Sequence, residues 1–253
     1  LAMAVCLAIM IPISIFLVVS MPTDKGFETR VGDPTPEEME KAHMVSAQKS
    51  GITGQQALKT SRWWLQWLAG MTTMIGAAAF SAQFVYYTGV TGSSDQATTI
   101  YSAALGTLIL GKFLLGVFSD VLHVRRTSVI APLFYTGVFA CMALSSQNMM
   151  FATVLIPLYM IGGAVPSVIP FLVTSYNFGD KEYGVMSGWM NIAGNVGQIV
   201  GPTIAAIVFD VTGTYVLAWI IFAVLMGVVA VLYLASGLAS KKQIADMGYI
   251  PVK

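Results

Sequence analysis

The sequence predicts an all-α fold, a polytopic bundle of membrane-spanning helices. Three observations predict it. Of 253 residues, 56% are hydrophobic and only 10% are charged, whereas soluble domains carry roughly 25% charged residues. The charges are clustered, which leaves runs of about twenty residues nearly free of them, the length a helix needs to cross a hydrocarbon core about 30 Å thick. All of the basic residues but one also fall into alternate loops. A net charge of +1 gives no reason to expect a nucleic-acid partner.

Seven apolar segments follow from the hydropathy pattern: 1–20, 63–88, 97–119, 128–147, 149–176, 184–209 and 214–236. All are too long for barrel strands, which need about 9–11 alternating residues. The first begins at Leu1, already apolar and with no basic flank to mark a signal peptide. Leu1 is therefore expected to be an internal edge of a longer chain.

Residues 21–62 form the one sizeable loop, broken up by Pro22, Pro34 and Pro36. Thr35-Pro36-Glu37-Glu38 reads as a capping box with proline at the first helical position. Thr53-Gly54-Gln55-Gln56 is a second candidate cap. It would open a surface helix over Gln55–Arg62 that runs on into Trp63, Trp64 and Trp67, residues suited to the membrane–water interface. The remaining loops are too short for a soluble domain, and 237–253 reads as a polar tail.

Loop charge orients the spans. Loops 21–62, 120–127, 177–183 and 237–253 hold every Lys and Arg except Lys112, while 89–96, the link near 148, and 210–213 hold none. Under the positive-inside rule the first set is cytoplasmic, as is the C-terminus. The expectation is an integral multi-pass protein of the plasma (cell inner) membrane, with lipid as its surroundings.

Lys112 is the one charge deep inside an apolar stretch. A lysine in hydrocarbon costs a few kcal/mol or more at the bilayer centre, which marks it as a functional candidate. It lies eight residues before Asp120, about 12 Å along a helix, near mid-bilayer. Lys112, Gly116, Ser119 and Asp120 share a face by spacing. Either Lys112 holds a negatively charged substrate, or it snorkels toward the interface.

Other polar positions leave two readings each. Asn191, Asn195 and Gln198 form a stripe that either hydrogen-bonds substrate or glues helices. Gly188, Gly194, Gly197 and Gly201 on the same span read as packing positions. Gln83, Tyr86 and Tyr87, with Phe80 and Phe84 beside them, make either an outer substrate-lining gate or an aromatic belt. The fifth span holds Pro157, Gly162, Gly163, Pro166 and Pro170, and so either bends in function or carries a fixed kink.

No Asp or Glu lies within a span. A proton-coupled carrier needs a titratable group in its path, so either another part of the protein supplies it or solute is exchanged or facilitated. Cys6 and Cys141 sit in apolar stretches as packing residues, and His43 and His123 fall in loops. No metal-ligand spacing and no converging catalytic set appears. Neither enzyme, metal nor cofactor is expected. A seven-helix receptor matches by span count alone, against outward loops that are very short.

Gly116-Val117-Phe118-Ser119-Asp120, followed by Arg125-Arg126, ends the third span on the basic side. Gly116 would let a neighbouring helix approach, and Asp120 with the arginines would make a charge-assisted latch. The pattern resembles the cytoplasmic loop motif of the major facilitator superfamily, G-x-x-x-D-(R/K)-x-G-(R/K)-(R/K). Here Val121 replaces a basic residue, the second glycine is missing and the basic pair is displaced by one.

The resemblance implies one helix of an N-terminal half (1–20), a central loop (21–62), the six-helix C-terminal half (63–236) and a cytoplasmic tail. The rest of the N-terminal half would then be the partner bundle across the substrate path. Lys112 before Gly116, the Leu58-Lys59-Thr60-Ser61-Arg62-Trp63-Trp64 approach and the Phe178-Gly179-Asp180-Lys181-Glu182-Tyr183-Gly184 loop resemble the oxalate/formate antiporter and monocarboxylate-porter branch. There a basic residue, usually Arg, contacts the substrate carboxylate. The implied function is secondary active transport of a small organic anion, a mono- or dicarboxylate, by alternating access. The alternative within the family is a neutral solute or drug.

Overall fold

A computed structural model describes residues 51–91, 94–148 and 150–238, with side chains described except at 85–91, 94 and 238. The expected first span, the Thr35–Glu38 capping box and the tail lie outside the described residues. What is described is all-helical, with eight helices: α1 Gly54–Leu58, α2 Ser61–Thr91, α3 Ser94–Leu122, α4 Val124–Ser145, α5 Met150–Gly162, α6 Val165–Phe178, α7 Tyr183–Thr212 and α8 Val216–Leu238.

Five stretches are long and apolar enough to cross a bilayer: 95–122, 124–145, 150–178, 183–212 and 216–237. The remaining expected span, α2, has the length at 31 residues but carries more polar side chains. Those at Gln66, Thr72 and Thr73 are buried against the bundle rather than turned outward.

The second candidate cap forms as its sequence requires. Thr53 Oγ1 accepts the Gln56 amide at 3.3 Å and Gln56 Oε1 accepts the Thr53 amide at 2.9 Å, a reciprocal capping box. The helix it opens does not run through to the tryptophans. It stops at Leu58, and Lys59 and Thr60 make a turn. The Thr60 hydroxyl then accepts the Trp63 amide at 3.3 Å, capping α2 anew. Trp64 is exposed as an interfacial residue would be, but Trp63 is buried and packs edge-on against Phe178 at 5.6 Å.

The fifth span is interrupted by a tight turn. α5 ends at Gly162, Gly163 N donates to the Tyr159 carbonyl at 2.8 Å and Ala164 N to the Ile161 carbonyl at 3.2 Å, and α6 starts with Pro166 in its first turn. Proline has no amide hydrogen to continue the ladder. Gly162 also lets the Tyr135 backbone approach to a point where a Cβ would meet it at 2.8 Å.

Two helix pairs form the backbone of the bundle, α2 with α7 and α4 with α8, and α5 links α3 to α4. Gly197 and Gly201 of α7 sit against the α2 backbone; a Cβ on Gly197 would lie 2.5 Å from the Met71 carbonyl, and one on Gly201 would overlap the Ile75 carbonyl. Gly194 contacts the Met74 side chain. Gly188, expected to pack with them, faces open space, because it lies on the exposed side of α7.

An aromatic core fills the centre. Phe80, Phe84, Tyr135, Phe139, Trp219 and Phe222 are fully buried, and Phe80 stacks on Tyr159 at 4.6 Å. Phe80 and Phe84 are therefore core residues rather than part of an aromatic belt. All described Lys and Arg residues except Lys112 lie at one end of the bundle, where α2, α4 and α7 begin and α3, α6 and α8 end.

Candidate functional site

Lys112 follows Gly111, the point where α3 meets α5. A Cβ on Gly111 would overlap the Met160 carbonyl. One residue on, Lys112 turns out of the bundle and is exposed, flanked by Ile109 at 77% and Phe113 at 71% exposure. It has no hydrogen bond or ion pair among the described residues. α3 as a whole is the least buried of the five apolar spans.

The face expected to carry Lys112, Gly116, Ser119 and Asp120 is split. Ser119 is buried and donates to the Leu115 carbonyl at 2.7 Å. Lys112 and Asp120 stay exposed, and a Cβ on Gly116 would meet nothing within 4 Å. The close approach expected at Gly116 occurs at Gly111 instead, because Gly111 lies on the buried arc of α3 with Ala104 and Leu115.

The basic turn is arranged differently from a latch between Asp120 and the arginines. No ion pair joins Asp120 to Arg125 or Arg126 among the described residues. Arg125 packs along Gly237 at the end of α8, where a Cβ would meet its Nε at 3.3 Å. Arg62 Nη2 donates to the Gly237 carbonyl at 3.2 Å. Cationic side chains suit a helix C-terminus, whose last carbonyls carry partial negative charge. Burial lowers the Arg62 pKa from its usual value, Tyr176 opposes that, and the Arg125 charge adds to it.

His123 joins α3 to α4 with φ at +67°, the one non-glycine with positive φ among the described residues. It occupies the place of the second glycine in the family motif, where the turn demands a backbone that side chains resist.

Asn191, Asn195 and Gln198 are brought together. They line one wall of a shallow cavity of about 30 Å³ between α2, α6 and α7, with Gly70, Met74, Pro166, Pro170 and Phe171 opposite. Asn191 Nδ2 donates to the Ser187 carbonyl at 3.1 Å. Asn195 and Gln198 have no hydrogen-bond partner among the described residues. The cavity is far smaller than the roughly 300–1,000 Å³ of a closed ligand pocket and cannot enclose a solute by itself. Lys112 is not in it.

Gln83 stands apart from both, accepting from the Tyr215 hydroxyl at 2.9 Å near the far end of the bundle. The side chains of Tyr86 and Tyr87 lie outside the described residues.

Two features escaped the sequence. One is a strap in which Ile52 N donates to the Phe178 carbonyl at 3.0 Å, Gly51 bridges Gly179, and Gly54 N donates to Glu182 Oε2 at 2.7 Å. Ile52, Ala57, Trp63, Phe178, Met186 and Met190 bury a small apolar cluster beneath it. The other is a buried polar network on Gln66, Thr174 and Asn177. Only a long-range neighbour list would have found either.

Long apolar helices, an interrupted span at a polar cavity and basic residues gathered at one end define a multi-pass membrane protein. A family model described as Major Facilitator Superfamily matches residues 63–246, and the chain belongs to that superfamily of transporters. No curated protein matches the chain closely enough to serve as a relative.

Proposed function

We propose that this transporter carries a small organic anion, a mono- or dicarboxylate, with the Lys112 ammonium as its charge partner. The single observation that carries the reading is Lys112 itself: a mid-span ammonium, exposed from its own bundle, with no carboxylate near it within any described span. A charge so placed needs a counter-ion or water, and a passage between two bundles supplies both. Lysine offers a point charge, so the site grips one carboxylate without the bidentate fork of arginine.

The amide stripe Asn191, Asn195 and Gln198 supports this reading from across the bundle. Asn195 and Gln198 retain free donors and acceptors for the remaining oxygens of a solute. In alternating access these six spans rock against a second bundle around the shared site. The basic end is cytoplasmic in this scheme, in the plasma membrane. The acidic residues of the described spans, Asp95, Asp120 and Asp210, sit at span ends rather than mid-span, which favours exchange of one anion for another over proton coupling from this bundle.

The test is uptake by the full-length protein of a panel of radiolabelled carboxylates. Lys112→Ala is expected to abolish uptake with membrane insertion intact, and Lys112→Arg to retain part of it. Wild-type uptake by Lys112→Ala, or uptake of a neutral solute only, rejects the anion reading.

A further inference from the structure

We infer that Gln66 is a positioning residue for transport, holding α6, the second half of the interrupted fifth span, in register with α2 and so setting the width of the polar cavity. The inference rests on family membership and on geometry, not on the charge of the solute.

Gln66 is fully buried, as is Thr174, and Asn177 is 2% exposed. The Gln66 amide spends its polar atoms on one neighbour. Nε2 donates to Thr174 Oγ1 at 2.5 Å and to the Pro170 carbonyl at 3.3 Å. Oε1 accepts from Asn177 Nδ2 at 3.1 Å. The Thr174 hydroxyl donates a hydrogen bond to the same Pro170 carbonyl at 2.7 Å. All three partners are on α6, so α2 grips that helix over two turns.

The two halves of the fifth span are held by different means. α5 is fixed by backbone contact, Gly162 against Tyr135 and Met160 against Gly111. α6 follows the turn at Gly163 and Ala164; it buries Val165, Ile169 and Val173 in the apolar core, and side-chain hydrogen bonds tie it to Gln66 and a backbone bond ties it to the strap at Phe178. Backbone contacts between small residues cannot slide without a clash, whereas hydrogen bonds can break and re-form. Any bending of the span therefore concentrates at Gly163 and Ala164 and moves α6, not α5.

The cavity registers that movement directly. Pro166, Pro170 and Phe171 of α6 form one wall, and Gly70, one turn beyond Gln66, belongs to the wall of α2. The carbonyl that Gln66 holds is that of Pro170, a lining residue. Releasing the amide frees the wall, and holding it narrows the cavity to its present size.

A network that merely glues helices would show in stability. A positioning role shows in local motion. Gln66→Leu alone orphans Asn177, so the decisive variant is Gln66→Leu with Asn177→Leu. Both partners are then apolar, and Thr174 still satisfies the Pro170 carbonyl. In the full-length protein in nanodiscs, the double variant is expected to melt within a few degrees of wild type. Amide hydrogen exchange over 165–178 should rise about five- to tenfold, the loss expected of one or two amide bonds, while 150–162 stays unchanged. A thiol at Gln198→Cys, with Cys6 and Cys141 replaced by Ser, should change its labelling rate with an impermeant maleimide in the same variant. Equal exchange rises in both halves, or no rise over 165–178, overturns the inference. No solute enters the test, so its failure leaves the anion reading standing, and the reverse also holds.

Discussion

α7 and α3 are nearly equal in length, 30 and 29 residues, yet they are bound to the bundle in opposite ways. α7 lies against α2 along a seam of glycines, where Gly197 and Gly201 bring two backbones together. α3 touches α5 closely at one point, Gly111, and leaves much of its surface outside. The closely seated helix carries neutral amides beside a shallow cavity, and the loosely seated one carries the lone ammonium. Strength of packing and density of charge run against each other. A helix gripped by backbone contact keeps its neutral side chains in fixed places, while a free helix face leaves a charge open to water or to a solute.

The largest expected effect comes from closing the seam. Gly201→Leu forces a side chain into the Ile75 carbonyl, and small-to-large changes in a packed interior cost about 1–3 kcal/mol, more against backbone. The variant should yield little monodisperse protein by size-exclusion chromatography in detergent. Gly116→Leu and Gly188→Leu meet open space at the same Cβ test and should purify as wild type. If all three behave alike, the contrast between the two helices is wrong.

A smaller effect is expected at the strap. Glu182→Gln weakens a charge-assisted bond to the Gly54 amide, a loss of about 1–2 kcal/mol. Exchange over 51–58 should quicken while that of α7 below Met186 does not change. This separates a local tether from a support of the whole helix.

The span pattern was legible because hydropathy is a local property. Six of the expected spans correspond to helices of the structure, with ends moved by a few residues, and the first lies outside the described residues. The interruption at Gly163–Ala164 was legible as bending from Pro166 and Pro170, since proline acts on its own ladder. The Thr53–Gln56 cap was legible for the same reason. Its helix was overextended because Lys59 and Thr60 are not helix breakers by type; the turn follows from docking onto Phe178.

Contacts between distant segments were not legible. Gln66 reads as one polar residue near a span end, and nothing nearby names Asn177 as its partner. Gly116 looked like the packing glycine of α3, yet Gly111 fills that role, since the periodicity of a nearly all-apolar helix does not mark its buried arc. For Lys112 the depth was legible from its distance to Asp120, whereas its exposure on the outer side of its own bundle was not.

A gain of stability is expected at the turn between these contrasting regions. His123 holds φ at +67°, which costs a side-chain residue about 1–3 kcal/mol. His123→Gly removes that cost but adds chain entropy to the unfolded state. The net should be a rise of about 1 kcal/mol, read as an upward shift of the melting midpoint. A fall would mean that the imidazole itself supports the turn.

The smallest effect belongs to the far end. Tyr215→Phe removes the donor to Gln83, and side-chain hydrogen bonds inside membrane proteins average about 0.6 kcal/mol. Gln83 is half-buried, so water reaches part of its orphaned amide and the loss stays near that mean. Gln83→Leu with Tyr215→Phe should then be no worse than Tyr215→Phe alone, because the acceptor left without a donor is gone. If Gln83 instead bound solute, the double variant would lose transport while keeping its melting midpoint. The pair thus decides whether the amide at that end of α2 holds α8 in place or meets the solute, and the hydrogen bond at 2.9 Å favours the first.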